Sequence, residues 1–133
     1  MSDLSWKEFE RIDLRIGTIL TAEYFKEAIK PAIKLTIDFG KEIGIKKSSA
    51  QITDHYKPQE LTGKQVSAVV NFPKKQIGPF MSECLVTGFI QNDGSVILCV
   101  PDKKAKNGTR SVSYTHLRAH ETPEHLVCRL LLE

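Results

Sequence analysis

The chain has no apolar run long enough to cross a membrane as a helix, which takes about 20 residues. Its start, Met1-Ser2-Asp3-Leu4-Ser5-Trp6, has neither the basic region nor the apolar region of an export signal. The expectation is a cytoplasmic protein with no membrane segment. Cysteine is scarce and scattered: Cys84, Cys99 and Cys128 form no close pair. That excludes a disulfide framework and offers no zinc site a recognised ligand spacing. Nucleotide and metallohydrolase signatures are missing as well, with no G-x-x-x-x-G-K-[ST], no G-x-G-x-x-G and no H-E-x-x-H. A Ser-His-Asp arrangement would have to draw on His55 with Ser48, Ser49 or Ser82, and no nucleophile elbow marks any of them. No nucleophile, base and orienter can be named together, so the chain is expected not to be an enzyme and to hold no cofactor and no metal. A net charge of +3 permits an anionic partner without demanding one.

The last segment resembles no fold element. Val112 to Glu121 resembles one reading frame of a transposase-type DNA-sequencing adapter. Leu126 to Leu132 continues that frame beyond a variable index. Residues 112–133 therefore read as a non-native, adapter-derived tail, and residues 1–111 as the single working domain. The tail holds decoys: His116, His120, His125 and Cys128 imitate a metal site without any recognised spacing. Over residues 1–111 there are 17 Lys and Arg against 13 Asp and Glu.

What is present is a succession of short strands. Ser5-Trp6-Lys7-Glu8 is a capping box, with Leu4 and Phe9 at the staple positions, and predicts a short helix from about Trp6 to Arg11. Its apolar residues Trp6, Phe9 and Ile12 make a stripe that either plugs the barrel or seals a dimer seam. Leu14 to Phe25 reads as a long strand whose parity switches at Gly17-Thr18, where a bulge or bend is expected. After Pro31, the residues Ile33, Leu35, Ile37 and Phe39 alternate with Lys34, Thr36 and Asp38, the clearest half-buried strand of the chain. Further strands are expected at Ile45 to Ser49, Val66 to Phe72, Met81 to Phe89 and Val96 to Val100. Asn92-Asp93-Gly94 turns between the last two. A helical turn is expected at Thr53 to Tyr56, stopped by Pro58, and a basic loop at Lys74 to Pro79. Five or six short strands with helices only at the edges predict an all-β fold, a five-stranded OB-type Greek-key barrel, which hides its sheet edges by closure. On periodicity alone a small β-sandwich is the alternative.

The cations are grouped. Lys46-Lys47-Ser48-Ser49 sets two ammonium groups and two hydroxyls on consecutive positions, and Lys74-Lys75 lies between proline-punctuated strands. Lys103, Lys104, Lys106 and Arg110 stud the exit. Phosphates call for such cations and hydroxyls, and single-stranded nucleic acid also calls for aromatic surface, which Phe72 and Phe80 could supply. Lysine pairs also occur as plain solvated surface, and Phe72 could be core.

Several blocks carry a family resemblance. Asp13-Leu14-Arg15-Ile16-Gly17-Thr18-Ile19, the stretch Pro31 to Gly40, Lys47-Ser48-Ser49-Ala50-Gln51-Ile52, Asn71-Phe72-Pro73, Ser82 to Gly88, Pro101-Asp102 and Asn107-Gly108-Thr109 occur in order. Together they resemble the CsaA branch of the tRNA-binding domain family over about residues 5–110. The resemblance implies an OB-fold homodimer that binds tRNA without catalysis. It also implies, as the alternative, an export-related chaperone that holds unfolded preproteins or peptides on the same surface. Carried over by motif, the RNA-binding set is Lys46, Lys47, Ser48, Ser49, Asn71, Lys74, Lys75 and Ser82, with Phe72 and Phe80 for a base or a peptide side chain. One departure stands at the end. Members usually close with an apolar residue just after the Asn-Gly-Thr-basic run, where this chain has Ser111 and the adapter-like segment. If that end helps close the barrel or build the dimer seam, dimerisation is weakened here.

Overall fold

The computed structural model describes residues 3–112. The adapter-like tail beyond Val112 and its histidines lie outside the described residues. Two compact units emerge, one from Asp13 to Arg110 and one that contains the segment before it. In that first segment helix α1 spans Trp6–Glu10. Its capping box is complete: the Ser5 hydroxyl accepts from the Glu8 amide at 3.2 Å, and the Glu8 carboxylate accepts from the Ser5 amide at 2.9 Å. The helix buries none of its residues, and Trp6 is 59% exposed.

The unit from Asp13 to Arg110 is built on a sheet of β1 (Leu14–Tyr24), β2 (Ile33–Asp38), β3 (Ile45–Ala50), β4 (Gln65–Val69) and β7 (Leu85–Val86), ordered β3-β2-β1-β4-β7. Every pairing is antiparallel. The sheet curls into a nearly closed barrel because its two edge strands meet. The Glu83 amide donates to the Lys47 carbonyl at 2.7 Å, and the Ser48 hydroxyl donates to the Cys84 carbonyl at 2.9 Å. This is the OB-like, all-β architecture that the strand pattern predicts.

Side-chain alternation fills the barrel. Ile33, Leu35 and Ile37 of β2 are fully buried, as their period of two requires. They pack with Ile19, Phe39, Ile52, Val66, Ala68 and Leu98. A second helix, α2 (Pro58–Leu61), brings Leu61 into the same core. Burial of one such leucine contributes about 1.5–3 kcal/mol. A turn forms at residues 53–55, inside the predicted stretch, but Pro58 does not stop it: Pro58 begins the helix that follows, in the first turn, where a missing N–H costs nothing.

β1 serves three partners. Its first half, Leu14 to Thr18, pairs with β4, and its second half, from Thr18, pairs with β2. The bulge expected at Gly17-Thr18 lies instead between Ile19 and Thr21. Gly17 has a packing role: a Cβ there would stand 2.5 Å from Ile37 Cγ2 and 2.7 Å from the Phe39 ring. On the side that β2 has vacated, Ile16 exchanges backbone bonds with residues 108 and 109, at 2.8 and 3.0 Å. Residues 101–110 thus form a strap along β1. Gly108 lets it pass, since a Cβ would meet the Phe39 carbonyl oxygen at 2.6 Å and φ is +89°.

Two small ribbons complete the unit. β5 (Lys75–Ile77) and β6 (Phe80–Ser82) form a hairpin where a basic loop is predicted. β8 (Gly88–Ile90) and β9 (Val96–Leu98) form a second one, turning at Asn92-Asp93-Gly94 as predicted. The strand expected over Met81 to Phe89 is therefore broken into three pieces. It breaks at Glu83-Cys84, which bond to β3, and at Thr87, whose amide donates to the Ser67 carbonyl at 3.0 Å. Among the described residues no helix is long and apolar enough to cross a membrane, and no group of three or more His, Cys, Asp or Glu gathers as a metal site.

Candidate nucleic-acid interface

In an antiparallel ladder, residues directly opposite one another share a face. On the outer face of β1, β2 and β3, Lys34 stands between Glu23 and Ser49, and Thr36 stands between Thr21 and Lys47. The β5–β6 hairpin brings Phe80 to these cations. Lys34 Nζ lies 5.8 Å and Lys47 Nζ 5.4 Å from the Phe80 ring centroid. Lys34 Nζ is also 5.5 Å from the ring of Phe25, which meets Phe80 edge-on at 5.4 Å. Cations placed over rings keep their full charge, because an aromatic quadrupole attracts without neutralising. Lys34 is in addition paired with the exposed Glu23 carboxylate at 3.0 Å. The result is a patch of ammonium groups and hydroxyls around the Phe80 ring, which rests against the buried Phe25.

A second cluster adjoins the barrel seam. Phe72, Pro73, Lys74, Lys75, Ser82, Cys84 and Leu85 line a mostly apolar cleft of about 380 Å³. Phe72 and Leu85 are each more than half exposed. Glu83 links the two clusters. Its carboxylate accepts from the Lys47 amide at 3.0 Å and pairs with Lys74 Nζ at 3.5 Å. Partial burial pushes the Glu83 carboxyl up, but the Lys47 amide and the Lys74 ammonium outweigh it and hold the group below the ordinary carboxylate range.

The residues expected to bind RNA divide by position. Lys47, Ser49 and Phe80 gather on the sheet face; Phe72, Lys74, Lys75 and Ser82 gather in the cleft. Lys46 and Ser48 belong to the opposite parity of β3. Lys46 pairs across from the buried Ile37. Ser48 is 1% exposed, and its hydroxyl is spent on the Cys84 carbonyl. Asn71 accepts from the Asp13 amide at 3.1 Å and braces the start of β1. Lys34, Thr36 and Glu83 escape sequence reasoning. The alternation through 33–39 already places Lys34 and Thr36 on the outer face, but only the ladder shows that Lys47 lies beside them.

His55 is exposed, as a loop residue should be, yet its ring is engaged. Nε2 stands 2.7 Å from Ser95 Oγ, which donates to the Asp93 carboxylate at 2.6 Å. The hydroxyl proton thus goes to the carboxylate rather than to the imidazole. The order His-Ser-Asp pins the β8–β9 turn and does not activate a nucleophile. Cys84 is buried against β3, and desolvation pushes its thiol up to about 11.

Comparison with known proteins shows the family. Residues 14–110 match the family model "Putative tRNA binding domain". The crystal structure of chaperone CsaA from Bacillus anthracis is 50% identical and superposes with a TM-score of 0.78, covering 83% of this chain and 99% of that one. The CsaA chaperone protein from Picrophilus torridus is 51% identical with a TM-score of 0.77, covering 83% and 100%. A methionine–tRNA ligase of Bacteroides fragilis is 32% identical over 108 residues, 81% of this chain but only 16% of the ligase. The matched part of that enzyme is therefore an accessory segment and not a whole relative. On the matched residues 14–110 and the shared barrel, the chain belongs to the tRNA-binding domain family and is similar within it to the CsaA proteins.

Proposed function

We propose that this protein binds tRNA through the outer face of β2 and β3 together with the adjoining cleft, and that it does so without catalysis. The carrying observation is the pair Lys34 and Lys47 held over the Phe80 ring. That arrangement offers phosphates two positioned cations and offers a base an apolar edge beside them. Thr36 and Ser49 add hydroxyls on the same face. The site residues proposed are Lys34, Lys47, Ser49, Lys74, Lys75 and Ser82, with Phe72 and Phe80 as the apolar surface. Lys46 contributes charge from the seam side, while Ser48 and Asn71 act by holding the scaffold.

The working unit is proposed to be a cytoplasmic homodimer. Leu4, Trp6 and Ile12 on one segment, and Phe89, Ile90 and Ile97 on the β8–β9 ribbon, are exposed apolar residues of the kind that a second copy covers. Residues 112–133 are proposed to take no part, since the family match stops at residue 110. A second reading, an export-related chaperone that holds unfolded preproteins, is favoured by the apolar lining of the cleft at Phe72 and Leu85.

A salt series of tRNA binding, run with and without an unfolded apolar peptide as competitor, tests both readings. Phosphate recognition gives binding that falls steeply as salt rises. Peptide holding gives competition that persists at high salt. Binding of tRNA that is absent at low salt removes the first reading.

A further inference from the structure

The exit strap carries charge that the proposed RNA site does not use. Lys103, Lys104 and Lys106 are exposed on it, and Lys41 is exposed on the turn beside it. Lys64 lies across from the strap with its Nζ 5.8 Å from the Tyr56 ring. Two depressions flank the strap. One, of about 470 Å³, is lined by Thr18, Lys64, Gln65, Lys103 and Lys104, with Asp102 as its acid. The other, of about 750 Å³, is lined by Lys41, Lys106, Asn107 and Thr109, with Glu42 as its acid. Among the described residues, none of these five lysines has a carboxylate within salt-bridge distance, whereas Lys34 and Lys74 each do.

The backbone that carries the three strap lysines is fixed. The Gln65 side chain donates to the Ala105 carbonyl at 2.6 Å and accepts from the Ala105 amide at 2.9 Å. The Thr18 hydroxyl donates to Asn107 Oδ1 at 2.8 Å, and Thr109 turns its hydroxyl back onto the Lys106 carbonyl at 2.6 Å. Like charges gathered on a pinned segment repel one another, and a polyanion that neutralises them releases its own counterions. Among the described residues, the only aromatic side chain lining either depression is Phe39, which is buried. With no exposed ring among the residues that line either depression, the strap face is suited to phosphates and sugars and not to splayed bases.

We propose that the strap face is a second, sequence-indifferent contact for the phosphate backbone of the same RNA that the β2–β3 face holds. This rests on the tRNA-binding reading. The test uses the full chain and unfractionated tRNA, with affinity measured across a salt series for wild type, for the double variant Lys103→Ala/Lys104→Ala and for Lys47→Ala. Removing a lysine that engages one phosphate should lower the log–log salt slope by about 1. The strap double variant should therefore show a slope smaller by about 1 to 2, with an unchanged melting temperature. A slope that falls for Lys47→Ala but stays unchanged for the strap variant overturns the strap proposal alone. Slopes that fall for both variants uphold the proposal, whereas a slope that falls only for the strap variant removes the β2–β3 site and with it the strap's standing as a second contact. Absence of any tRNA binding by the wild type overturns both.

Discussion

Lys47 and Glu83 hold each other through two hydrogen bonds in opposite directions. The Glu83 amide donates to the Lys47 carbonyl at 2.7 Å, and the Lys47 amide donates to the Glu83 carboxylate at 3.0 Å. The same carboxylate pairs with Lys74, so an anion sits between the two halves of a surface proposed to bind a polyanion. Glu83→Gln keeps an acceptor for the Lys47 amide and removes the charge. Its tRNA affinity at low salt should rise by up to about fivefold, the scale of a surface ion pair.

The same residue sets a pH dependence. The Glu83 carboxyl is held below its ordinary value of 4.5. The stability it contributes is therefore fully present above that value and is lost as pH falls through the lowered one. The melting-temperature difference between wild type and Glu83→Gln should be constant near neutrality and should shrink below about pH 4.5. A difference that grows on acidification contradicts the assignment.

Neighbouring residues of β3 should separate cleanly in mutagenesis. Ser48→Ala removes the shorter of two hydroxyl bonds to the Cys84 carbonyl, leaving Ser82 Oγ at 3.4 Å, and should cost about 0.5–1.5 kcal/mol in chemical denaturation, with little effect on tRNA affinity at temperatures where the variant is folded. Ser49→Ala should do the reverse, weakening tRNA binding at nearly unchanged stability. Equal effects from the two would mean that strand parity does not govern this surface.

Gly17→Ala should destabilise the barrel by about 1–3 kcal/mol, the usual cost of overpacking a filled core. The new methyl group would stand 2.5 Å from Ile37 Cγ2 and press on Phe39. The denaturation midpoint reads the loss, and a variant as stable as wild type refutes the packing role given to Gly17.

The thiol of Cys84 should resist alkylation in the native protein at pH 8, because its pKa is pushed up to about 11 and it is buried. Denaturant should expose it to rapid labelling, which mass spectrometry of the peptide that contains Cys84 detects.

Much of the barrel is legible in the residues themselves, for reasons that differ by element. β2 declares itself because half-burial imposes a period of two, and Ile33, Leu35 and Ile37 obey it without exception. The capping box at Ser5 and Glu8 is legible because both partners lie within one turn. The β5–β6 hairpin is hidden because Gly78 and Pro79, its turn, look like loop punctuation, and three-residue strands show no period. Pro58 misleads because the same ring that stops a helix also suits its first turn. The cleft is partly legible, since Phe72, Lys74 and Lys75 are neighbours along the chain. Lys34 is not, since its meeting with Phe80 and Lys47 depends on closure of the sheet. The strap lysines are visible in the sequence, but their lack of acidic partners among the described residues emerges only from the fold.

Residue Asp13, where the compact unit opens, and residue Arg110, where it closes, are side by side. Asp13 pairs with Arg15 at 2.5 Å and with Arg110 at 3.6 Å, and Arg15 and Arg110 form a backbone bridge. A polypeptide can therefore enter and leave this unit through a single doorway. Such a unit can be spliced into or fused onto a longer chain without stretching its host, because the host's two severed ends need only meet at one spot. That economy of attachment suits a module whose counterpart makes up 16% of a methionine–tRNA ligase.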